Sequence, residues 1–110
     1  MLYPKKYNDK VGYIDDDGNW IIEPKFDEGK KFSEGKAAVQ LENRWGYIDE
    51  KGSLVIQPIF QDGFDFINGY ALVKILRVWG YRNEKGEYIS EPHLESSLSS
   101  KDLLKDQFVL

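Results

Sequence analysis

Short apolar and aromatic runs alternate with polar, glycine-bearing turns along the chain. Gly12-Tyr13-Ile14-Asp15 and Trp20-Ile21-Ile22 flank Asp16-Asp17-Gly18-Asn19, and the same arrangement recurs around Glu50-Lys51-Gly52-Ser53. Two β-prone runs across such a turn predict a hairpin. The glycine suits the left-handed position of a type I turn with a G1 bulge, where a side chain would be strained. Pro24 and Pro58 follow the second run, and a residue that cannot donate to a ladder is expected to end the strand there. Beyond a loop carrying Phe26, Gly29 and Phe32, Ala37–Leu41 reads as a third strand. It turns through Glu42-Asn43-Arg44 into Trp45-Gly46-Tyr47.

The pattern has a fixed period. A shift of 34 residues aligns Gly12-Tyr13, Gly46-Tyr47 and Gly80-Tyr81, then Gly18, Gly52 and Gly86, then Pro24, Pro58 and Pro92. The pairs Ile22/Ile56, Phe26/Phe60, Gly29/Gly63, Phe32/Phe66, Gly35/Gly69, Ala37/Ala71, Val39/Val73 and Trp45/Trp79 follow without a gap. This organisation divides the chain into residues 1–11 (the end of a preceding partial repeat), 12–45 (repeat 1), 46–79 (repeat 2), 80–94 (a half repeat) and 95–110 (a C-terminal tail). Each copy supplies about three short antiparallel strands with too few apolar residues to bury themselves. The expected fold is therefore all-β, a meander or solenoid of tandem antiparallel repeats stabilised by stacking. Its expected core is Tyr13, Trp20, Phe26, Phe32, Val39 and Trp45 with Tyr47, Phe60, Phe66, Val73, Trp79 and Tyr81, at roughly 1.5 to 3 kcal/mol per buried large side chain.

From Trp45-Gly46-Tyr47-Ile48-Asp49 through Lys51-Gly52, Pro58, Phe60 and Phe66 to Gly69-Tyr70-Ala71-Leu72-Val73, the chain resembles a WG (tryptophan-glycine) repeat from end to end. The resemblance covers residues 7–92, with Val11 standing where the first tryptophan is expected and barely more than two copies present. It implies a bacterial, non-catalytic binding or scaffold module.

Composition narrows the partners. A formal net charge of -4 leaves no basic excess to neutralise phosphates, so neither nucleic acid nor an anionic membrane is expected. With no cysteine, disulfides, thiolate metal sites and cysteine nucleophiles are all excluded. No apolar run approaches the roughly 20 residues of a membrane helix, and Met1–Lys6 lacks a signal-peptide pattern, so a cytoplasmic location is the expectation for the chain as given, with an exported context as the alternative if it is a fragment of something longer.

Asp15-Asp16-Asp17-Gly18-Asn19 invites a calcium reading, but an EF-hand register would place Tyr13 at the first ligand and Pro24 at the bidentate glutamate. Lys51 and Lys85 replace Asp17 in the equivalent turns. His93, near Glu91 and Glu95, is the single histidine and lacks ligand spacing, while Asp62 and Asp65 fall in the loop that varies between copies. No catalytic or nucleotide-binding motif occurs, so neither an enzyme nor a cofactor is expected.

The differences between copies are as informative as the matches. Lys25, Lys30, Ser33, Lys36, Glu42 and Arg44 of the first copy stand against Ile59, Phe64, Ile67, Tyr70, Leu76 and Val78 of the second. On a shared backbone, copy two exposes an apolar patch that something covers. Two covers present themselves. Ser99–Phe108 has a helix-cap signal and amphipathic spacing through Leu103, Leu104 and Phe108, which predicts a short C-terminal helical cap. The other cover is a protein partner or a second copy of the chain, giving a homo-oligomer. The expected function is a protein-binding scaffold module. One alternative is an immunity protein that neutralises a basic toxin through Asp15, Asp16, Asp17, Asp27 and Glu28; the other is a cell-wall glycan platform of aromatic faces.

Overall fold

The computed structural model describes residues 1–89. The helix expected in the tail, 95–110, lies outside them, as do His93 and the end of the half repeat. All elements among the described residues are strands. The first sheet holds β1 (Tyr3–Tyr7), β2 (Lys10–Ile14) and β3 (Trp20–Phe26). The second holds β4 (Glu28–Gly29), β5 (Ala37–Leu41), β6 (Arg44–Ile48) and β7 (Leu54–Phe60). The third holds β8 (Asp62–Gly63), β9 (Tyr70–Ile75), β10 (Val78–Asn83) and β11 (Tyr88–Ile89). Within each sheet the strands run in chain order and pair antiparallel. The structural unit is thus offset from the sequence repeat: one sheet takes its first strands from the end of one copy and its last from the start of the next.

Local chemistry explains the strand ends. Two-residue hairpin turns at Asn8-Asp9, Glu42-Asn43 and Leu76-Arg77 have positive φ at both positions, between 50° and 67°, the type I′ geometry that matches strand twist. The longer turns place Gly18, Gly52 and Gly86 at φ of 85°, 89° and 84°. In each, the residue opening the turn holds it: an Asp15 carboxylate oxygen accepts from the amides of Asp17 and Asn19, Asp49 from Lys51 and Ser53, and Asn83 from Lys85 and Glu87. The acidic loop at 15–17 is therefore built as a turn.

The prolines do not end their strands as expected. β3 runs through Pro24 to Phe26 and β7 through Pro58 to Phe60. The register explains why. Val11 faces Phe26 and Tyr13 faces Ile22, so Glu23, Pro24 and Lys25 bulge opposite the single residue Gly12; Gln57, Pro58 and Ile59 do the same opposite Gly46. Proline's missing donor costs nothing at a bulge, where the ladder is interrupted. A Cβ on Gly12 would lie 2.4 Å from Ile22 O and 2.6 Å from Pro24 N, and one on Gly46 2.6 Å from Ile56 O and 2.8 Å from Pro58 N. The glycine after each tryptophan position lets the bulged strand close. Phe26 accordingly belongs to a strand, and Gly29 pairs in β4, where a loop was expected.

Stacking follows from the alternation of faces. Ala37, Val39 and Ile48 of the second sheet point back onto Val11, Tyr13, Ile22 and Phe26 of the first. Ala38, Tyr47, Ile56 and Phe60 point forward onto Ala71 and Val73 of the third, with Phe66 closing the cluster. Tyr13 and Tyr47, fully buried, donate their hydroxyls to Lys30 O at 2.6 Å and Phe64 O at 2.7 Å, tying each sheet to the loop that follows it. Of the expected aromatic core, Tyr13, Phe26, Tyr47, Phe60 and Phe66 are buried, whereas Trp20, Phe32, Trp45, Trp79 and Tyr81 are half-buried.

Candidate interaction surface

The loop between β4 and β5 carries the side-chain hydrogen bonds that join one copy to the next. Lys30 Nζ donates to Gly63 O at 2.7 Å and lies 4.9 Å from the ring centres of both Trp45 and Phe64. Ser33 Oγ donates to Phe66 O at 2.7 Å, and the Glu34 carboxylate accepts from the amides of Asn68 and Gly69. Lys36 lies over Phe66 and pairs with Glu84 at 3.0 Å. Three of the polar residues of the mismatched pairs, Lys30, Ser33 and Lys36, thus bind the first copy to the second.

Their counterparts face no described repeat. Phe64 stacks on Trp79 with ring centres 5.4 Å apart and planes 7° from parallel, so position 64 covers the next tryptophan just as Lys30 covers Trp45. Ile67 is 64% exposed and Tyr70 half-buried. These three line a hollow of about 360 Å³ with Asp65, Leu72 and Tyr81. Leu72 pairs with Tyr81 across β9 and β10, at the positions that Ala38 and Tyr47 hold in the buried face of the second sheet. The hollow is therefore the stacking face of the third sheet, left open among the described residues.

Leu76 and Val78 belong elsewhere. With Val73, Ile75, Trp79, Gly80, Arg82 and Tyr88 they line a second hollow of about 250 Å³. Ile59, 49% exposed beside the Pro58 bulge, lines neither hollow. The six mismatched positions are thus not one patch. Leu72 was not singled out from the sequence, because position 72 is apolar in both copies and a polar-to-apolar filter passes over it, and Asp65 was weighed only as an acid paired with Asp62.

The WG containing repeat model matches residues 12–45 and 45–76. This chain belongs to the WG containing repeat family. No curated protein and no solved structure matches it. Val11, just before the first matched repeat, stands at the tryptophan position and lies opposite Phe26 as Trp45 lies opposite Phe60.

The acidic residues of the first WG repeat are mostly engaged within the chain. Asp16 accepts from the Tyr3 hydroxyl at 2.8 Å and pairs with the N-terminus; Asp27 pairs with Lys10 and accepts the Glu42 amide; Glu28 pairs with Lys6 at 3.3 Å. The Lys10 hydrogen bond, with the Glu42 amide, holds the Asp27 carboxyl below its usual range. Burial pushes the phenols of Tyr13 and Tyr47 far above theirs, with the Asp65 carboxylate adding to both. Among the described residues no cluster of three or more His, Cys, Asp or Glu is placed to hold a metal ion. Nor is any described helix long and apolar enough to cross a membrane.

Proposed function

We propose that this WG-repeat chain is a non-catalytic interaction module that binds another protein through the open stacking face of its third sheet. The observation that carries this reading is the contrast between equivalent positions. Tyr13 and Tyr47 are fully buried by the copy that follows, whereas Tyr81 lines an apolar hollow with Phe64, Ile67, Tyr70 and Leu72. An apolar face rimmed by a carboxylate fits a protein surface. A glycan platform has less support, since Trp45 and Trp79 each have a ring face occupied, by Lys30 and Phe64. A toxin-neutralising acidic footprint has less support too, since Asp16, Asp27 and Glu28 are paired within the chain.

The test is affinity capture from the native source with three forms of the full chain: unchanged, Ile67→Asp and Lys5→Glu. Ile67 and Lys5 are both exposed, so neither change disturbs the core. The reading expects a protein retained by the unchanged chain and by Lys5→Glu, and lost with Ile67→Asp. Identical capture by all three forms would sink it.

A further inference from the structure

Resting on that reading, we propose that the first occupant of the open face is the chain's own segment 99–108, a cover that a protein partner has to displace. The exit point of the chain favours this. Tyr81 pairs with Leu72 on one side and with Ile89 on the other, so these three residues form a row across the open face. Ile89 is the last described residue, so the described chain ends on this row. The nine residues from Ser90 to Leu98 together with Ser99 reach up to about 35 Å when extended, enough to cross the 27 × 19 Å cross-section of the molecule. A tether of that length gives the segment an effective concentration on the order of millimolar at the face.

The chemistry of the two faces favours it as well. The inner junction is held by side chains that donate to backbone carbonyls, from Lys30 to Gly63 O and from Ser33 to Phe66 O. At the open face these positions are Phe64 and Ile67, which can satisfy no carbonyl, so the face is not built to receive another repeat like copy two. The tail is not such a repeat either: the shift that aligns Ala37 with Ala71 and Val39 with Val73 brings Lys105 and Gln107 to those buried positions. What the tail does offer is Leu103, Leu104 and Phe108 for the apolar hollow, and Lys101 and Lys105 for the Asp65 carboxylate at its rim.

Because the chain has no cysteine, Ser100→Cys gives a single attachment point for a nitroxide label in the full-length protein. The proposal expects the label to broaden the amide signals of Ile67, Tyr70 and Leu72 in an isotope-labelled sample and to leave those of Lys5 and Lys6 sharp. It also expects the effect to persist on dilution and to vanish when Leu103→Asp and Leu104→Asp are added. Absence of broadening overturns it, as does broadening that survives the two aspartates. Broadening that appears in mixtures where the isotope and the nitroxide sit on different chains overturns it as well, and identifies a second copy as the occupant. The aspartate variant separates this inference from the functional reading. Stronger capture of a partner that depends on Ile67 supports the cover, whereas unchanged capture removes the cover and leaves the binding face standing.

Discussion

Substituting Gly46 with alanine tests whether the glycine of each WG pair exists to admit the proline bulge. A Cβ there would stand 2.6 Å from Ile56 O, 2.8 Å from Pro58 N and 2.9 Å from Gln57 C. All three are backbone atoms, so no rotamer change relieves the clash. Restoring ordinary contact at about 3.5 to 4.0 Å requires β7 to retreat by roughly an ångström. That retreat loosens the Tyr47–Ile56 and Trp45–Phe60 pairings on either side of the bulge, at about 1 kcal/mol per hydrogen bond weakened, and strains the packing of fully buried Phe60 by about 1 to 3 kcal/mol. The expected loss is roughly 3 to 5 kcal/mol, a large share of the 5 to 15 kcal/mol that holds a typical domain. Gly35→Ala is the control: its φ is +77° but a Cβ there meets nothing within 4 Å, so the change costs about 1 to 2 kcal/mol of backbone strain. Urea unfolding followed by tryptophan fluorescence and far-ultraviolet circular dichroism measures both. If Gly46→Ala is no more destabilising than Gly35→Ala, the bulge does not need the glycine.

Tyr47→Phe removes the donor to Phe64 O and should lower stability by about 1 to 3 kcal/mol in the same urea assay, with the backbone spectrum unchanged. Both buried phenols have pKa values raised by folding, so the stability they contribute is fully present below the unfolded value near 10 and is lost as pH rises beyond it; each contributes a slope of at most about 1.4 kcal/mol per pH unit. Alkaline unfolding monitored at 295 nm, roughly where phenolate absorbs, should therefore show tyrosines ionising together with loss of structure, and simple titration without unfolding would contradict this. Ser33→Ala strips Phe66 O of its donor and should cost about 1 kcal/mol, whereas Ile67→Ser, at the equivalent site in copy two, should fall within about 0.5 kcal/mol of the parent. Equal effects at the two sites would show that the loop is not the joint between copies.

The period, the turns and the all-β class were readable from the sequence because they rest on short-range rules. Gly18, Gly52 and Gly86 mark left-handed turn positions, and Asp15 or its equivalent closes each turn onto amides a few residues away. The bulge was not readable. Pro58 announces a missing donor, but the Gly46 that accommodates it is brought opposite only by the ladder. The apolar patch was legible in part for a related reason. Comparing copies picks out Phe64, Ile67 and Tyr70, since their polar counterparts are employed against the next copy. It also picks out Leu76 and Val78, which lie at the other hollow, because sequence alone does not assign faces between separate strands.

The outer faces of the first and third sheets differ among the described residues. On the outer face of the first sheet, Lys5 pairs with Gly12 and Tyr7 with Lys10, and all but the glycine are exposed. Tyr3 pairs with Ile14 on the same face, so the two lysines stand there among aromatic and aliphatic side chains. The far face carries Leu72 and Tyr81 with Ile67 and Tyr70 beside them. The two faces thus differ in charge: one carries Lys5 and Lys10, and the hollow of the other is lined mostly by apolar side chains with the Asp65 carboxylate at its rim.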